Sequence, residues 1–530
     1  MSGRLGVILG NQFSESLTRY QLTVFEDDWG ALQRGIEKES LRVKSDGHIS
    51  RSPHPKALGS ALTNPYITTD FSEALLELIT PVSQTIDGCL QELDNIHRYT
   101  LQNIEDEEIL WATSMPCPLS ADTEIPIAQY GKSNIGKLKN LYRHGLHHRY
   151  GSLMQAIAGI HYNFSMPDSF WESYKLLCKF NGSTQEFKTK KYLHLIRNFH
   201  RFSWLLLYLF GASPTACKCF VEGRTHDLSE LDDSTLFKPF ATCLRMGNLG
   251  YKSEAQQSLF VCYNDLETYV ECLGRAIKTP YPEYVKIGHG KDGKYKQINT
   301  NLLQLENEFY STIRPKRNVE NGEKPLDALT NRGIEYVEVR ALDLDPYSPL
   351  GISREQIHFL DSFLLHCLLA ESPDCNKDEF FEVANNLNLV VSRGRESNLP
   401  LSSKGKQKVL REWSMEIIND IKHSAYILDE VNQTNEYSLS ASEQEEKIKN
   451  PGLTPSGRML DQMKKEGMSF FEFSMEHSKR HSKTLREAEI DKNFLTHIKN
   501  VSTKSLFDQQ EIEKSDSTDF KTFLDQWNNF

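Results

Sequence analysis

The amino-acid sequence predicts an α+β fold in which a mostly antiparallel sheet is covered by helices and followed by a helical C-terminal part. Between residues 33 and 349, short runs typical of strands are interleaved with amphipathic helical runs. These runs lack the regular strand–helix–strand period of a parallel sheet, which favours antiparallel pairing. After residue 353 the hydrophobic pattern becomes almost wholly helical. We therefore expect a sheet domain over residues 1–352 and a helical part over 353–530 packed on it.

The individual elements follow from local pattern. The predicted strands are rich in β-branched and aromatic residues and cover 34–43, 156–166, 295–305 and 333–344. The predicted helices of the first part cover 71–80, 83–104 and 191–210. In the second part, helices are predicted over 353–372 and 404–431, and residues 441–530 are predicted to present solvated helical faces. Residues 1–33 are predicted to be a helical lead-in.

Composition excludes several classes of protein. The chain has 530 residues with 61 basic and 72 acidic side chains, a net charge of −11 that gives no electrostatic reason to bind nucleic acid or an anionic membrane. Its 10 cysteines include no CxxC motif, so we expect reduced thiols in a cytoplasmic protein rather than a disulfide scaffold or a four-cysteine zinc site. The longest apolar run, 204–212, is too short to span a bilayer, and the N-terminal apolar run is too short for a signal peptide.

One glycine-rich segment matches two phosphate-binding motifs by spacing alone. GHGKDGKY (288–295) satisfies both GxGxxG and GxxxxGK. Both motifs require the glycines to follow a strand and open a helix, whereas strand-like residues follow here. Asp292-Gly293 between β-type flanks instead predicts a hairpin, and any nucleotide is expected to be bound elsewhere.

Pairs of carboxylates are predicted to share a face in two segments. In the first strand, the period of two places Glu37 and Glu39 on one face and Lys38 on the other. In the predicted helix 71–80, Asp70 and Glu77 are two turns apart and share a face. Taken singly, such pairs are more often a solvated strand edge or, for an Asp before a helix, a cap.

The strand 333–344 carries a mixed set. Tyr336, Glu338 and Arg340 share one face, and His161 in the predicted strand 156–166 is a further candidate ligand. A Glu-x-Arg pair is most often a structural ion pair, and a lone His in an apolar strand is most often a core residue. Several like-charged carboxylates in otherwise apolar elements nevertheless indicate hard divalent ions such as Mg²⁺ or Mn²⁺. The residues by themselves leave these interpretations open.

Taken together, the segments resemble the bacterial glutamate–cysteine ligases, also called γ-glutamylcysteine synthetases. The resemblance covers about Gly35 to Leu350 in order and is weak in the helical remainder, above all in the last 90 or so residues. The segments that carry it are RGIEKESLR (34–42), TTDFSEALLELITP (68–81), LMQAIAGIHYNFSMP (153–167), LRMGNLGY (244–251), QINTNLLQLENEFYSTIRPKR (297–317) and GIEYVEVRALDLDPYSPLGI (333–352). A mild departure is Lys38 and Ser40, where the family usually has Arg and Thr.

The resemblance implies a cupped antiparallel sheet related to that of glutamine synthetase, with helices on its outer side. It implies about three Mg²⁺ ions, held by the metal positions Glu37, Glu39, Asp70, Glu77, His161 and Glu338. Arg340, beside Glu338, corresponds to the arginine that contacts phosphate, and these two are the expected catalytic residues.

The resemblance also implies the substrate contacts. Arg245 corresponds to the residue that binds the α-carboxylate of glutamate, with Gln155 and Asn163 nearby. Tyr142, Tyr251 and Tyr310 correspond to the walls of the cysteine pocket. Arg314, Lys316 and Arg317 are candidate nucleotide contacts, or a solvated basic turn broken by Pro315.

The implied reaction is the ATP-dependent joining of the glutamate γ-carboxylate to the cysteine amine, the first step of glutathione synthesis. Glutathione is an expected inhibitor because it contains the product, and a monomer is expected. Three alternatives remain open: a ligase that joins glutamate to another amine, a two-metal phosphoryl hydrolase, and a catalytically silent relative.

Overall fold

The computed structural model describes residues 32–116, 118–119, 125–250, 254–257, 259–291, 294–320 and 323–528. The predicted lead-in therefore lies almost entirely outside the described residues. The strands are β1 (Gln33–Lys44), β2 (Ile67–Thr69), β3 (Leu75–Ile79), β4 (Glu108–Leu110), β5 (Ile160–Ser165), β6 (Thr215–Cys217), β7 (Ser229–Glu230), β8 (Thr235–Phe237), β9 (Gly290–Lys291), β10 (Lys294–Tyr295), β11 (Ile313–Lys316), β12 (Tyr336–Leu342), β13 (Pro400–Ser403) and β14 (Lys406–Val409).

The helices alternate with and then follow these strands. They are α1 (Ile86–Leu101), α2 (Asn134–Tyr150), α3 (Asp168–Leu177), α4 (Thr184–Phe210), α5 (Glu254–Gln257), α6 (Leu266–Lys278), α7 (Pro282–Ile287), α8 (Pro325–Arg332), α9 (Arg354–Leu369), α10 (Lys377–Arg393), α11 (Leu410–Asn432), α12 (Glu436–Lys449), α13 (Pro455–Glu466), α14 (Phe470–Glu487), α15 (Lys492–Ser515) and α16 (Phe520–Asn528).

The main sheet is antiparallel at every pairing, which confirms the predicted fold class. Its strand order is β11-β12-β5-β1-β3-β2, and β4 pairs with the end of β1. Strand β1 can hold three partners because it is 12 residues long and its successive parts pair with β5, β3 and β4. The strand at the centre of the sheet is thus the one that carries the first pair of acids.

Helices cover one face of the sheet, and the other face carries partly exposed polar side chains. Helix α4 packs against β11 and β12, and α1 packs against β1 and β3. On β12, Val337 and Val339 are fully buried, whereas Tyr336 and Arg340 on the opposite face are partly exposed. The predicted alternation along this strand is therefore correct.

The predicted helix over 71–80 is wrong. Strand β3 occupies Leu75–Ile79 and pairs along Glu37–Leu41 of β1. The Asp70 amide donates a hydrogen bond to the Leu75 carbonyl at 3.0 Å, which closes the turn between β2 and β3. The Glu73 side chain accepts a hydrogen bond from the Gln129 amide at 3.1 Å. Helix-favouring residues form a strand here because hydrogen bonding of this segment to β1 and β2 outweighs its local helix propensity.

The predicted strand over 295–305 is also largely wrong. Only Tyr295 belongs to a strand, in the β9–β10 hairpin predicted in place of a nucleotide motif. The residues that follow bond to their own loop instead: Gln304 Oε1 accepts from the Ile298 amide at 2.9 Å, and Asn299 Oδ1 accepts from the Asn301 amide at 3.1 Å. Side chains that satisfy nearby backbone groups compete with strand pairing in this way. The turn residues Asp292 and Gly293 lie outside the described residues.

The helical character of the second part is confirmed, with one addition. The hairpin β13–β14 precedes α11, so the helix predicted from residue 404 begins at Leu410. Helix α9 packs on α4, and its buried Asp361 accepts hydrogen bonds from Arg34 Nη2 at 3.0 Å and from the Tyr162 hydroxyl at 2.6 Å. This part thus shares the core of the sheet, and a domain boundary at residue 352 stays a prediction.

Two further expectations concern the whole chain. Among the described residues no helix is long and apolar enough to cross a membrane. The described cysteines are free thiols.

Replacing Asp361 by alanine should lower the free energy of unfolding by about 3–5 kcal/mol, because the buried Arg34 guanidinium loses its counter-charge. Urea unfolding followed by circular dichroism measures this change. The matched control is Asp461→Ala, which removes an exposed partner of Lys465 and should cost less than about 1 kcal/mol. Equal losses in the two variants would show that the Arg34–Asp361 pair does not hold α9 to the sheet.

Candidate active site

Acidic side chains from adjacent strands surround one histidine on the open face of the sheet. Glu37 pairs in register with His161 of β5, and Glu39 pairs with Glu77 of β3. His161 Nδ1 lies 3.0 Å from Glu37 Oε2 and 3.9 Å from Glu77 Oε1, and its Nε2 lies 3.5 Å from Glu39 Oε1. One ligating atom each from Glu37, Glu77 and His161 lies within 4.8 Å of the others. The face shared by Glu37 and Glu39 is the one predicted from period two.

Asp70 reaches this cluster by a different route from the one predicted. It follows β2 at the turn into β3 and lines the same cleft as Glu39 and His161. It shares no helix with Glu77. Its carbonyl accepts hydrogen bonds from the Tyr130 hydroxyl and from Arg143 Nε, which fix this turn against helix α2.

On the β3 side of the cluster, close packing of the acids raises their pKa values. Burial, together with the charges of Glu37, Asp70 and Glu39, raises the pKa of Glu77 well above its ordinary value. Burial and Asp70 also raise the pKa of Glu39, although His161 opposes the shift. Negative charge here exceeds what the neighbouring side chains neutralise.

The acids on the β12 side are stabilised as anions. Burial and Glu338 act to raise the pKa of Glu37, but the hydrogen bond and charge of His161, with Lys316, lower it to about 2. Burial likewise opposes ionisation of Glu338, yet Lys316, Arg340 and His161 hold its pKa well below its ordinary value. A cation placed near Glu77 would complete the neutralisation of the cluster, and carboxylate and imidazole donors at this spacing fit Mg²⁺ or Mn²⁺.

Glu338 is the acid of the predicted set that already has two cationic partners. Its Oε1 accepts from Lys316 Nζ at 3.2 Å and its Oε2 from Arg340 Nη1 at 3.1 Å. Arg314 of β11 lies directly across from Glu338 in register. These three basic side chains give the β11–β12 end of the site a positive rim beside the acidic cluster.

Asn163 and Arg317 lie away from the cleft walls. Asn163 Nδ2 donates to Glu37 Oε1 at 2.9 Å, while its Oδ1 is buried without a partner. Arg317 donates to the Arg332 carbonyl at 2.9 Å and to Gln185 Oε1 at 3.3 Å, which are contacts of a structural kind.

Arg245 lies on the floor of the cleft and is rigidly held. Its Nε donates to Asp343 Oδ1 at 2.7 Å and its Nη2 to the Leu342 carbonyl at 2.8 Å. Asp343 is fully buried and also accepts from the Ala212 amide and the Ser213 hydroxyl, at 2.8 and 2.6 Å. A β-carbon on Gly159 would lie only 2.8 Å from Arg245 Nη1, so the glycine leaves room for the guanidinium.

Sequence reasoning missed Asp343 and Gly159. The available signal for Asp343 was an acid directly after a buried strand, in the segment LDLDP. For Gly159 the signal was a glycine just before a strand that carries a candidate ligand, a sign of close approach. Neither signal reveals its partner, because Arg245 and Asp343 are far apart along the chain.

The remaining substrate candidates line one cleft, which contains about 830 Å³ of empty space counted to its open mouth. Tyr142 lies on helix α2, Gln155 precedes β5, and Tyr310 precedes β11. The Tyr310 hydroxyl donates to Met246 Sδ at 2.8 Å. Tyr251 lies outside the described residues. The lining residues are Glu39, Asp70, Tyr142, Leu146, Tyr150, Met154, Gln155, His161, Arg245, Gln256, Asn307, Glu308, Tyr310, Arg314 and Arg340.

Comparison with known proteins gives consistent matches over most of the chain. The glutamate–cysteine ligase of Alcanivorax borkumensis is 46% identical over 498 residues, which cover 93% of this chain and 95% of that protein. The glutamate–cysteine ligase of Pseudomonas putida is 47% identical over 493 residues, which cover 92% of this chain and 93% of that protein.

Solved structures share the fold. A glutamate–cysteine ligase from Francisella tularensis, in complex with AMP, has a TM-score of 0.89 and 35% identity, and the match covers 94% of this chain and 98% of that chain. A bifunctional glutathione synthetase from Pasteurella multocida has a TM-score of 0.69 and 26% identity, and the match covers 89% of this chain and 54% of that chain.

The profile of the family described as glutamate–cysteine ligase matches residues 23–390, which include every residue of the cluster and the cleft described above. The match extends past residue 352 through most of α10, which agrees with the packing of α9 on the sheet domain. The chain belongs to the glutamate–cysteine ligase family.

Proposed function

We propose that this protein joins the γ-carboxylate of glutamate to the amine of cysteine at the expense of ATP. The observation that carries the proposal is the composition of the single cleft described above. It brings together an acidic cluster suited to divalent ions, a basic rim on β11 and β12, and a buried arginine, Arg245, suited to an amino-acid carboxylate.

The reaction needs activation of the carboxylate because a carboxylate and an amine do not condense in water. An oxygen of the glutamate γ-carboxylate attacks the γ-phosphorus of ATP, the bond to the bridging oxygen breaks, and ADP leaves. The cysteine amine then attacks the acyl carbon of γ-glutamyl phosphate, phosphate leaves, and the amine loses a proton. Phosphoryl transfer depends on positioning and charge neutralisation, so no protein nucleophile is required.

We assign Arg340 and Glu338 to the transferred phosphoryl group. Arg340 presents a planar guanidinium that matches phosphate oxygens in two places. Glu338 holds that guanidinium from the same strand, at 3.1 Å, and Lys316 contacts the other oxygen of Glu338. Arg314 lines the cleft nearby and adds positive charge.

We assign divalent metal binding to the acidic cluster. Mg²⁺ or Mn²⁺ would be held by Glu37, Glu39, Asp70, Glu77, His161 and Glu338. When bound, such ions neutralise the ATP phosphates and orient them toward the acyl acceptor. The protein's own part is to hold the donors rigid, and the register of β1, β3 and β5 does so.

We assign the amino-acid substrates to the other end of the cleft. Arg245 binds the glutamate α-carboxylate, with Gln155 beside it, while Asp343 fixes its orientation. Tyr142 and Tyr310 form the walls of the cysteine pocket, with Tyr251 as a third candidate. Because the tyrosine rings present mainly apolar surface, they favour a small thiol over a charged side chain.

We further propose a cytoplasmic monomer that is inhibited by glutathione. The reaction consumes ATP and a reduced thiol, both of which the cytoplasm maintains. Glutathione contains the γ-glutamyl-cysteinyl group of the product and would occupy both amino-acid subsites.

The experiment that tests the proposal follows ADP and product mass with ATP, Mg²⁺ and glutamate, with and without cysteine. Cysteine-dependent ADP release with a γ-glutamylcysteine product is expected. ADP release with another amine and not with cysteine would indicate a different ligase. ADP release indifferent to amino acids would indicate a hydrolase, and no turnover would indicate a silent relative.

Glu77→Gln should weaken Mn²⁺ binding at least about tenfold, because it removes a charged donor from the cluster. Electron paramagnetic resonance of free Mn²⁺ measures the affinity directly and does not depend on turnover. Glu511→Gln, at an exposed pair with Lys514, is the control and should leave the affinity unchanged. Unaltered Mn²⁺ affinity in Glu77→Gln would remove Glu77 from the ligand set.

Arg340→Lys should lower kcat about 100-fold, because a lysine keeps the charge but loses the planar pair of donors. Steady-state ADP release measures kcat. Arg480→Lys, at a half-exposed position on α14, is the control. A kcat within twofold of the unmodified enzyme would exclude a bidentate phosphate contact at Arg340.

Asp343→Asn should raise the KM for glutamate about tenfold and leave the KM for ATP within twofold. The amide still accepts hydrogen bonds but holds the Arg245 guanidinium less tightly, since charged hydrogen bonds are about twice as strong as neutral ones. Initial rates at varied glutamate and ATP separate the two constants, and Asp461→Asn is the exposed control. Equal increases in both constants would assign Asp343 a purely structural role.

A further inference from the structure

The last described helix packs on a wall of the cleft rather than on the main core. Helix α16 contacts α2, and its Leu524 is buried with Leu138, Leu141 and Ile298 in a small apolar cluster. This cluster is separate from the main hydrophobic core of the described residues. Tyr142, a lining residue of the cleft, packs against it. The apolar contact beneath this wall thus includes a side chain from the far end of the chain.

Polar contacts fix α16 to residues 297–305, which lead into the cleft-lining residues Asn307, Glu308 and Tyr310. Asn528 Nδ2 donates to the Ile298 carbonyl at 3.1 Å, and Asn299 Nδ2 donates to Asn528 Oδ1 at 3.4 Å. Lys324 Nζ donates to the Trp527 carbonyl at 3.2 Å and lies 5.0 Å from the centre of the Trp527 ring. The helix therefore bridges α2 and the loop before β11.

The segment just before α16 holds the start of α2. The Asn134 amide donates to Asp516 Oδ2 at 2.7 Å, and Asn134 Nδ2 donates to the Thr518 carbonyl at 2.9 Å. Two residues before Asn134, the Lys132 amide donates to Glu513 Oε1 at 2.8 Å. The contact between Asp516 and the Asn134 amide satisfies one of the backbone amides that the first turn of a helix leaves unpaired.

Helix α2 connects these contacts with α16, which we call the brace, to the cleft. Leu138, Leu141 and Tyr142 are three and four residues apart and so share a face. Leu146, one turn beyond Tyr142, lines the cleft with it. Because side chains one turn apart move together on a rigid helix, a shift of the buried face displaces the lining residues.

We propose that α16 is a positioning element for the cysteine pocket. It completes the small core beneath α2 and so holds Tyr142 at the correct distance from Tyr310 across the cleft. The inference rests on the proposed function, since that function supplies the occupant of the pocket. The α16 residues touch neither the acidic cluster nor the reacting atoms in this assignment, and they act only through α2.

The effect should be selective among substrates. The nucleotide assignments Arg340 and Lys316 lie on β12 and β11, which belong to the main sheet and pack on α4. The cysteine assignments Tyr142 and Tyr310 lie on α2 and the loop that α16 bridges to it. Loss of the brace should therefore affect cysteine binding and leave ATP binding nearly unchanged.

The experiment compares Leu524→Ala and Trp527→Ala with Gln526→Ala, which is on the exposed side of the same helix. In the first two variants we expect the KM for cysteine to rise at least about fivefold, because misplaced binding groups lose affinity steeply with distance. The KM for ATP should stay within twofold. Amide hydrogen exchange over residues 134–150 should become faster. Gln526→Ala should match the unmodified enzyme in all three.

Three results would overturn the inference. The first is faster exchange in α2 with an unchanged KM for cysteine, and the second is an equal rise in the KM for cysteine and for ATP. The third is unchanged exchange in α2 in both variants. Absence of cysteine-dependent turnover in the unmodified chain would instead refute the proposed function. Exchange over α2 then tests only whether α16 holds α2 in place: faster exchange in Leu524→Ala and Trp527→Ala supports that role, and unchanged exchange overturns the inference.

Discussion

Electrostatic repulsion among buried and half-buried carboxylates is the constraint on which the rest of this structure depends. Glu37, Glu39 and Glu77 converge on His161 because three antiparallel strands place them side by side in register. Like charges held this close destabilise a fold unless cations neutralise them. The structure supplies part of that neutralisation through His161, Lys316 and the guanidinium groups, and the raised pKa of Glu77 marks where it is incomplete. In the function that we propose, divalent cations would complete this neutralisation.

Strand β12 connects the group around Glu338 and Arg340 with the group around Arg245. Its open face carries Glu338 and Arg340, while the carbonyl of Leu342 accepts from Arg245, and Asp343 directly follows. The side of the cleft that we assign to phosphate and the side that we assign to the glutamate carboxylate are therefore both tied to β12. That arrangement suits a reaction in which an acyl group must stay in place while it is first phosphorylated and then attacked by an amine.

The cleft wall opposite the sheet is assembled from distant segments of the chain. Helix α2 and the loop before β11 enclose the amino-acid side, and neither contributes to the main sheet. They are held by Arg149, whose guanidinium donates to Glu308 at 2.9 Å and to the Asn299 carbonyl at 2.8 Å. The contacts with α16 lie on the outer side of the same wall. The pocket that we assign to cysteine rests partly on a separate small core, so it can differ in rigidity from the sheet to which we assign phosphoryl transfer.

The sequence by itself determined the strands β1, β5 and β12, since alternation of polar and apolar residues is a local property that survives folding. It also identified the acids on those strands and, by resemblance, the family. It failed at 71–80, where strong helix formers became β3, because one of the two partner strands, β1, lies more than 30 residues away. Only the tertiary structure decided that Asp343 holds Arg245 and that α16 supports α2. These contacts join residues about 100 and several hundred positions apart, and no local pattern encodes which distant side chain will fill a given space.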